Sequence, residues 1–342
     1  MNKLKKTVEK IGVPRFIIGI FLLSLYIMAP FAKVDILTSL NDTFIRVGMN
    51  IILVLSLIPM VQSGTGLNFG MPLGIEAGLL GALISLELGL SGILGFLGAI
   101  LIAIPISIIF GYLYGKLLNK VKGGEMMIAT YVGFSSVAIM CIMWLILPFK
   151  KPDMIWAYGG EGLRTTISID KYWGKILSEI FYLPKNLNFI GELLFFLFIA
   201  WILREFFKSK NGIAMKITGS NEKFAKATGI NINSSRINSV ILSTILSSIG
   251  IIVYQQSFGF VQLYLAPFYM AFPAIAALLI GGASLNKASI SNVILGTFLF
   301  QGIITMTPVV ISGLIKTDMS ETLRVIISNG MILYALTRRG VK

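Results

Sequence analysis

The sequence predicts an all-α membrane protein with about ten transmembrane helices, two of them broken, and with both termini in the cytoplasm. Of its 342 residues, 56% are hydrophobic and 13% are charged, and its mean hydropathy is +0.85. Soluble domains carry about 25% charged residues, which argues against a soluble fold. Apolar runs of about 18 or more residues, each long enough to cross a hydrocarbon core of roughly 30 Å, recur along the chain. A transmembrane β-barrel would instead show strands of about 10 residues with alternating polarity.

Charged residues, glycines and prolines divide the apolar sequence into ten predicted spans within one transmembrane domain, residues 1–342. Two long connections interrupt the pattern: residues 149–186, which we place outside the cell, and residues 204–236, which we place in the cytoplasm. The predicted spans are 16–31, 44–62, 68–86, 92–115, 126–148, 187–203, 237–257, 264–281, 289–313 and 323–337.

The distribution of charge predicts the orientation. The net charge is +14. With the amino terminus inside, the cytoplasmic segments hold 19 of the 29 basic residues and four acidic ones, whereas the outside segments hold ten of each. The positive-inside rule then places both termini in the cytoplasm. Because the basic residues lie between apolar spans and not on one soluble face, they do not indicate a nucleic-acid partner.

The sequence lacks the residues of the commonest catalytic and metal sites. It contains no histidine and a single cysteine, Cys141, inside an apolar run. Disulfide frameworks, Cys/His metal sites and Ser-His-Asp triads are therefore excluded. We expect neither a catalytic residue nor a metal site in this chain.

The outer connection, residues 149–186, is rich in aromatic residues, which favours an interfacial cap or a docking surface. A solvated loop with a surface-lying helix is the alternative. The aromatic residues in question are Trp156, Tyr158, Tyr172, Trp173 and Tyr182.

Two spans are predicted to be broken, and together they indicate a solute pathway. Glycines and a proline interrupt the start of the third span between Gly64 and Gly74, and Gly259, Pro267 and Pro273 interrupt the approach to the eighth. Non-helical backbone at membrane depth is tolerated where it lines a cavity or is buried in protein, so such breaks point to a substrate route. The uncharged residues near them favour a small neutral solute. A single aromatic residue here is more often an interfacial or helix-packing residue, so the prediction rests on the cluster. The residues of this cluster are Asn68, Phe69, Gln255, Gln256, Phe258, Tyr269 and Phe272.

Glu76 is an acidic residue well inside an apolar run, and embedded acids are costly enough to suggest a function. One hypothesis is a secondary transporter that couples transport to a proton or ion gradient through Glu76. Because we find no embedded Lys, Arg or His partner in the sequence, Glu76 could equally face a water-filled part of the pathway or bond a broken-helix amide.

In the cytoplasmic connection, residues 219–231 are predicted to form one short helix. Ser220 can cap its first amide groups, Glu222 and Lys226 can form an i,i+4 ion pair, and Gly229 can end it. A helix this short is marginal in water by itself. It fits a docking element for another subunit, with Phe224 and Ala225 as an apolar patch, or an ordinary connecting helix on the bilayer surface.

The run Gly219-Ser220-Asn221-x-x-x-Ala225-x-x-x-Gly229-Ile230-Asn231 resembles the cytoplasmic loop signature of ABC importer permeases in the ribose and branched-chain amino acid class. In that family the loop is a coupling helix that sits in a groove of the ATP-binding subunit. The chain has Phe224 before Ala225 where family members often have two alanines. The resemblance implies docking contacts at Ser220, Asn221, Glu222, Phe224, Ala225 and Gly229.

Two further segments resemble the same family, and with the span pattern they extend the resemblance over residues 44–337. Gly66-Leu67-Asn68-Phe69-Gly70 is similar to a G-x-N-F-G segment, and Gly281-Gly282-Ala283-Ser284-Leu285 is similar to a G-G-x-S-L loop. The second departs from the family because Asn286-Lys287-Ala288 follow where glycines are common.

The resemblance implies a permease subunit of the bacterial cytoplasmic (inner) membrane that moves a sugar, nucleoside or similar solute by alternating access. Its implied partners are the bilayer, an ATP-binding subunit, a second permease chain of the same or related sequence, and an extracytoplasmic solute-binding protein. ATP and Mg would belong to the partner ATPase. In this chain we expect no cofactor, since Gly111, Gly115 and Lys116 are spaced too closely for a phosphate loop and no Ser or Thr follows.

Overall fold

The computed structural model describes residues 13–157, 160–179, 187–315 and 320–337, with side chains placed except at 13, 14, 336 and 337. Within these ranges the chain is mostly helical, with one short pair of strands. The helices are α1 (Val13–Met28), α2 (Ile36–Leu55), α3 (Ile58–Gln62), α4 (Pro72–Glu87), α5 (Gly92–Lys120), α6 (Glu125–Ile146), α7 (Ile176–Glu179), α8 (Ile190–Phe206), α9 (Lys210–Ser220), α10 (Glu222–Ala227), α11 (Ile232–Phe258), α12 (Ala266–Ile280), α13 (Ile290–Ile315) and α14 (Ser320–Thr337).

Each of the ten predicted spans coincides with a helix, and the second covers α2 and α3 together. By length and composition, five segments of the described chain can cross a membrane: 36–62, 92–120, 125–146, 232–258 and 290–315. Shorter apolar helices occupy 15–28 and 266–280. The chain is thus a multi-pass helical membrane protein, while the full count of ten crossings stays a prediction.

The centre of the bundle is built from α4 and α11, which pack together through glycines of α4. A Cβ on Gly74 would lie 2.6 Å from the Ser247 side chain, and one on Gly78 would lie 2.3 Å from Ile251. Both helices are largely buried. Close approach through small residues is the usual way for membrane helices to associate.

The connections that we predicted to be cytoplasmic meet at one end of the bundle, which we call the Gly219 end. The Arg15 guanidinium donates to the Gly282 carbonyl at 3.3 Å. Lys122 and Glu222 are 3.7 Å apart, and the Gln62 amide donates to the Ala288 carbonyl at 2.9 Å. The grouping agrees with the predicted topology, and the side of the membrane on which this end lies stays a prediction. The predicted inside residues Lys3, Lys5, Lys6, Lys10, Arg338, Arg339 and Lys342 lie outside the described residues.

The opposite end, which we call the Trp173 end, carries an ordered cap. Strand β1 (Thr166–Ser168) in the outer connection pairs antiparallel with β2 (Phe260–Gln262), which follows α11, and Ile167 lies opposite Val261. Trp173 is buried against Phe96 with ring centroids 6.4 Å apart. This part of the connection is a packed cap and not a solvated loop. Trp156 is exposed on it, whereas Tyr158 and Tyr182 lie outside the described residues.

Candidate translocation and coupling sites

The first predicted break is present between α3 and α4. Residues 63–71 are not helical, and Gly64 and Gly66 have φ angles of 73° and 91°, which glycine adopts readily. Most of this segment is buried, so its polar groups need partners inside the protein. Pro72 begins α4 in the first turn, where its missing N–H costs no helical bond.

Asn68 anchors the broken segment to two helices. Its side-chain amide donates to the Ser243 hydroxyl of α11 at 2.9 Å, and its carbonyl oxygen accepts from the Tyr114 hydroxyl of α5 at 3.2 Å. Ser63 and Ser239 share a second link to α11 at 2.7 Å. Asn68 is thus buried and fully engaged within the chain. Its predicted role in lining a solute route stays a prediction.

Two of the predicted pathway aromatics lie together. Phe69 of the broken segment and Phe272 of α12 have ring centroids 5.9 Å apart. Phe134 of α6 and Phe268 of α12 complete the cluster, at 4.6 Å from each other. The cluster joins α6, α12 and the 63–71 segment, a convergence that sequence spacing alone does not reveal.

The second predicted break lies between α11 and α12. Gly259 ends α11 in the left-handed conformation, β2 follows, and α12 begins at Ala266 with Pro267 in its first turn. The prediction is wrong for Pro273, because α12 continues through it to Ile280. A proline removes one helical hydrogen bond, and in a membrane bundle neighbouring groups can compensate for that loss.

A cleft of about 630 Å³ opens beside this break, between α2, α11, α12, α13 and α14. Phe258 and Tyr269, both predicted pathway residues, line it. The two predicted glutamines do not. Gln255 is buried with neither amide atom bonded to a described residue, and Gln256 accepts from the Leu177 N–H at 3.1 Å.

The cleft carries fixed charges, in contrast to the uncharged residues that we predicted to line a solute route. Asp42 and Arg46 of α2 and Arg324 of α14 line it. Arg46 is an embedded basic residue inside the predicted span 44–62, so the statement that the spans hold none was wrong. The sequence already indicates such a cavity, because a charge in an apolar run usually faces one. The charge count instead placed Arg46 among the ten basic residues of the outside segments.

Glu76 is buried in α4, with 1% of its surface exposed, and neither carboxyl oxygen has a hydrogen-bond partner among the described residues. A second embedded acid, Glu192 of α8, was missed. It is equally buried and accepts from the Ser178 hydroxyl at 2.8 Å and from the Gln256 amide at 3.2 Å. Glu76 is therefore not the sole acid inside the bundle.

The predicted cytoplasmic helix is two helices, α9 and α10. Ser220 is not the cap: it is the last residue of α9, and its hydroxyl donates to the Ile217 carbonyl at 3.1 Å. Asn221 caps α10 by accepting from the Phe224 N–H at 3.0 Å. The side chain of Glu222 pairs with Lys122 at 3.7 Å and not with Lys226. Helix α9 extends to Ser220, past the predicted start of the short helix at residue 219, because α9 packs onto α11. Helix propensity does not predict this tertiary contact.

The exposed part of α10 is smaller than predicted. Ala225 is fully buried, and Phe224 is 53% exposed, so only Phe224 of the predicted two-residue patch displays an apolar surface. Gly229 stops the element with a φ angle of 76°, as predicted. Just before α10, Gly219 packs against the chain that follows α3, and a Cβ there would lie 2.1 Å from the Gln62 carbonyl oxygen.

A family comparison decides the identity of the chain. The model of a family described as the permease component of branched-chain amino acid transport systems matches residues 39–336. The chain belongs to this family of ABC importer permeases for branched-chain amino acids and simple sugars. The permease matches no curated protein and no solved structure. Membership of this family makes the chain a transport subunit and not itself a catalytic enzyme, and it implies an ATP-binding partner and a membrane.

Proposed function

We propose that this permease moves a small polar solute, such as a sugar or nucleoside, across the bacterial cytoplasmic membrane by alternating access. A partner ATPase, with ATP and Mg bound to it, drives the change by docking on α10. The observation that carries this proposal is the contact of Gly219 with Gln62 and Gly64, which ties the end of α9 to the broken segment 63–71.

The route by which α10 acts on the bundle is a short chain of contacts. Displacement of α10 moves Gly219 and, through it, Gly64. From the broken segment, Ser63 and Asn68 are hydrogen-bonded to α11 through Ser239 and Ser243. Because α11 and α4 form the centre of the bundle, a push at α10 is transmitted to the helices beside both predicted breaks.

The remaining partners follow from the surfaces at each end. In our proposal, a solute-binding protein lands on the cap at the Trp173 end, and a second permease chain completes the pore. Phe224 provides an apolar anchor for the ATPase, and Lys223 and Lys226 flank it with positive charge. We place the solute in the charged cleft and not in an uncharged one. Its guanidinium groups suit a polar solute, because they can donate to hydroxyl and ring acceptors as well as to anions.

The proposal is tested in proteoliposomes that contain the permease with its ATP-binding and solute-binding partners. We expect solute-stimulated ATP hydrolysis, and we expect Ala225→Pro to abolish it, because proline removes the N–H that bonds the Asn221 carbonyl at 3.0 Å. Ala225→Gly, which keeps that N–H, is the control and should retain most of the stimulation. Stimulation that survives Ala225→Pro in a folded complex would refute docking at α10.

A second candidate function rests on Glu76, whose burial without a described partner suits a residue that takes up a proton. In this case the chain alone would transport solute along a pH gradient. Uptake into vesicles that lack any ATPase, lost in Glu76→Gln, would favour this secondary transporter. Uptake that requires ATP and survives Glu76→Gln would favour the importer.

A further inference from the structure

The cleft between α2 and α14 holds two guanidinium groups that the proposed coupling route does not use. Arg46 projects from the middle of α2 and Arg324 from the first turns of α14, and both line the cleft. Tyr254 of α11 lines the same cleft. The two positive charges therefore share one cleft with an aromatic wall.

The existing partners of these arginines are few. Arg324 pairs with Glu321 at 2.9 Å, but the Glu321 side chain is 76% exposed, and exposed pairs contribute little. The partly buried Arg46 guanidinium has no hydrogen bond or ion pair with any described residue. Asp42, one turn earlier in α2, is not within ion-pair distance of it. Charged residues in membrane-spanning helices are rare, usually face the bundle interior or a water-filled cavity, and mark substrate or ion pathways.

The rest of the cleft is suited to a small molecule. Its volume of about 630 Å³ lies within the range of ligand sites, roughly 300–1,000 Å³. Tyr254, Phe258 and Tyr269 give it aromatic walls, and Asn50 and Gln301 add amide groups that both donate and accept. A ligand here can place a ring or apolar part on the aromatic walls and a polar group at the arginines.

We propose that Arg46 and Arg324 bind an anionic oxygen group, a carboxylate or a phosphate, whose carrier lies against Tyr254 and Phe258. The guanidinium fork matches the geometry of paired oxygen acceptors better than an ammonium does. If the ligand is the solute, a step that rests on the proposed transport function, the solute is a sugar or nucleoside derivative with an acidic group, such as a sugar acid or a nucleotide. The binding itself does not depend on the ATPase.

Benzoate and benzamide test the proposal, because they share a ring and differ in charge. The full chain is placed in nanodiscs of phosphatidylcholine, and binding is followed by saturation-transfer NMR. We expect saturable benzoate binding that Arg46→Gln weakens at least tenfold, with Arg46→Lys in between, and much weaker benzamide binding that neither variant changes. Arg204→Gln, which removes the same charge from an exposed position in the last turn of α8, is the matched control and should bind like the wild type.

Equal affinity of the wild type for both probes, or unchanged benzoate binding in folded Arg46→Gln, would overturn the proposal. If Arg46→Gln does not fold, Arg324→Gln provides the same test. This test is separate from the ATPase test. Anion binding at the arginines can fail while docking at α10 succeeds, and the reverse is also possible.

A second set of nanodiscs, containing phosphatidylglycerol, distinguishes the two sources of the anion. A lipid phosphate at the site would weaken benzoate binding and would remain on the wild type, but not on Arg46→Gln, in native mass spectra. A solute anion would instead leave benzoate binding unchanged by the lipid, and glycerol 3-phosphate would compete with benzoate while glycerol would not. Either result supports the arginine site and assigns its occupant.

Discussion

The backbone of Gly219, at the end of α9, packs directly against the backbone of Gly64, just after α3. A Cβ on Gly219 would lie 2.7 Å from the Gly64 amide nitrogen and 2.1 Å from the Gln62 carbonyl oxygen. A Cβ on Gly64 would approach the Gly219 Cα to 3.0 Å. The close approach of the two backbones therefore requires glycine at both positions. Through its leading residue, the motif at 219–231 contacts the chain just before the motif at 66–70.

Gly219→Ala should loosen this contact. The added methyl group would meet backbone atoms that cannot rotate away, so we expect α9 to shift and solute-stimulated ATP hydrolysis to fall at least fivefold. Overpacking of this kind costs about 1–3 kcal/mol. Thermal unfolding measured with the ATPase assay separates lost coupling from lost folding.

The matched control is Gly19→Ala in α1, where a Cβ would have nothing within 4 Å. It should leave both the melting temperature and the ATPase rate within error of the wild type. Full coupling in Gly219→Ala would contradict the transmission route.

Two ion pairs at the Gly219 end should contribute very differently to the free energy of unfolding. Arg236 and Glu125 are 2.5 Å apart with side chains 8% and 17% exposed, whereas Lys122 and Glu222 are about half exposed. Arg236→Gln leaves a mostly buried carboxylate without its cation, and we expect a loss of about 3 kcal/mol. Lys122→Gln should cost less than about 1 kcal/mol. Chemical denaturation of the two variants in one detergent makes the comparison, and similar losses would contradict it.

Asn68→Leu should destabilise the broken segment. It removes the donor to Ser243 and the acceptor for Tyr114 while leaving both buried hydroxyl groups in place, and we expect a loss of about 2–3 kcal/mol. Tyr114→Phe removes only one of these bonds and should cost about 1 kcal/mol. Thermal unfolding measures both losses of stability. A loss in Asn68→Leu no larger than that in Tyr114→Phe would show that Asn68 is not the anchor.

Single-cysteine labelling should report the orientation of the two ends. Because Cys141 is the only cysteine of the chain, Cys141→Ser provides a background free of thiols. In that background, a membrane-impermeant maleimide should label Phe224→Cys only in inside-out vesicles and Trp156→Cys only in right-side-out vesicles. Both positions are exposed, so access is limited by the bilayer alone. Labelling from the opposite sides would invert the topology.

The features that the sequence predicts well are those set by local chemistry. The breaks at 63–71 and 259–265 follow from glycines with positive φ angles and from prolines that begin helices, and the stop at Gly229 has the same origin. The ten apolar segments follow from hydropathy, which a bilayer imposes on every span independently.

The features that it misses depend on which helices meet. Ser220 fails as a cap because α9 is supported by tertiary packing up to that residue, and the role passes to Asn221. The link between Glu192 and Gln256 joins residues 64 positions apart, so no local pattern reveals it. Arg46 was visible as a charge in an apolar run, but only the cleft shows what it faces.

The two-stranded ribbon formed by Thr166–Ser168 and Phe260–Gln262 has a mechanical implication. Its main-chain hydrogen bonds join the cap to the segment that follows Phe258, a residue that lines the cleft. The carbonyl of Gln256, two residues before Phe258, also accepts from the N–H of Lys175 in the cap. A protein that presses on the cap would therefore pull on the mouth of the cleft. In the proposed importer, the binding of a solute-binding protein to the cap would thus be transmitted to the cleft through this ribbon.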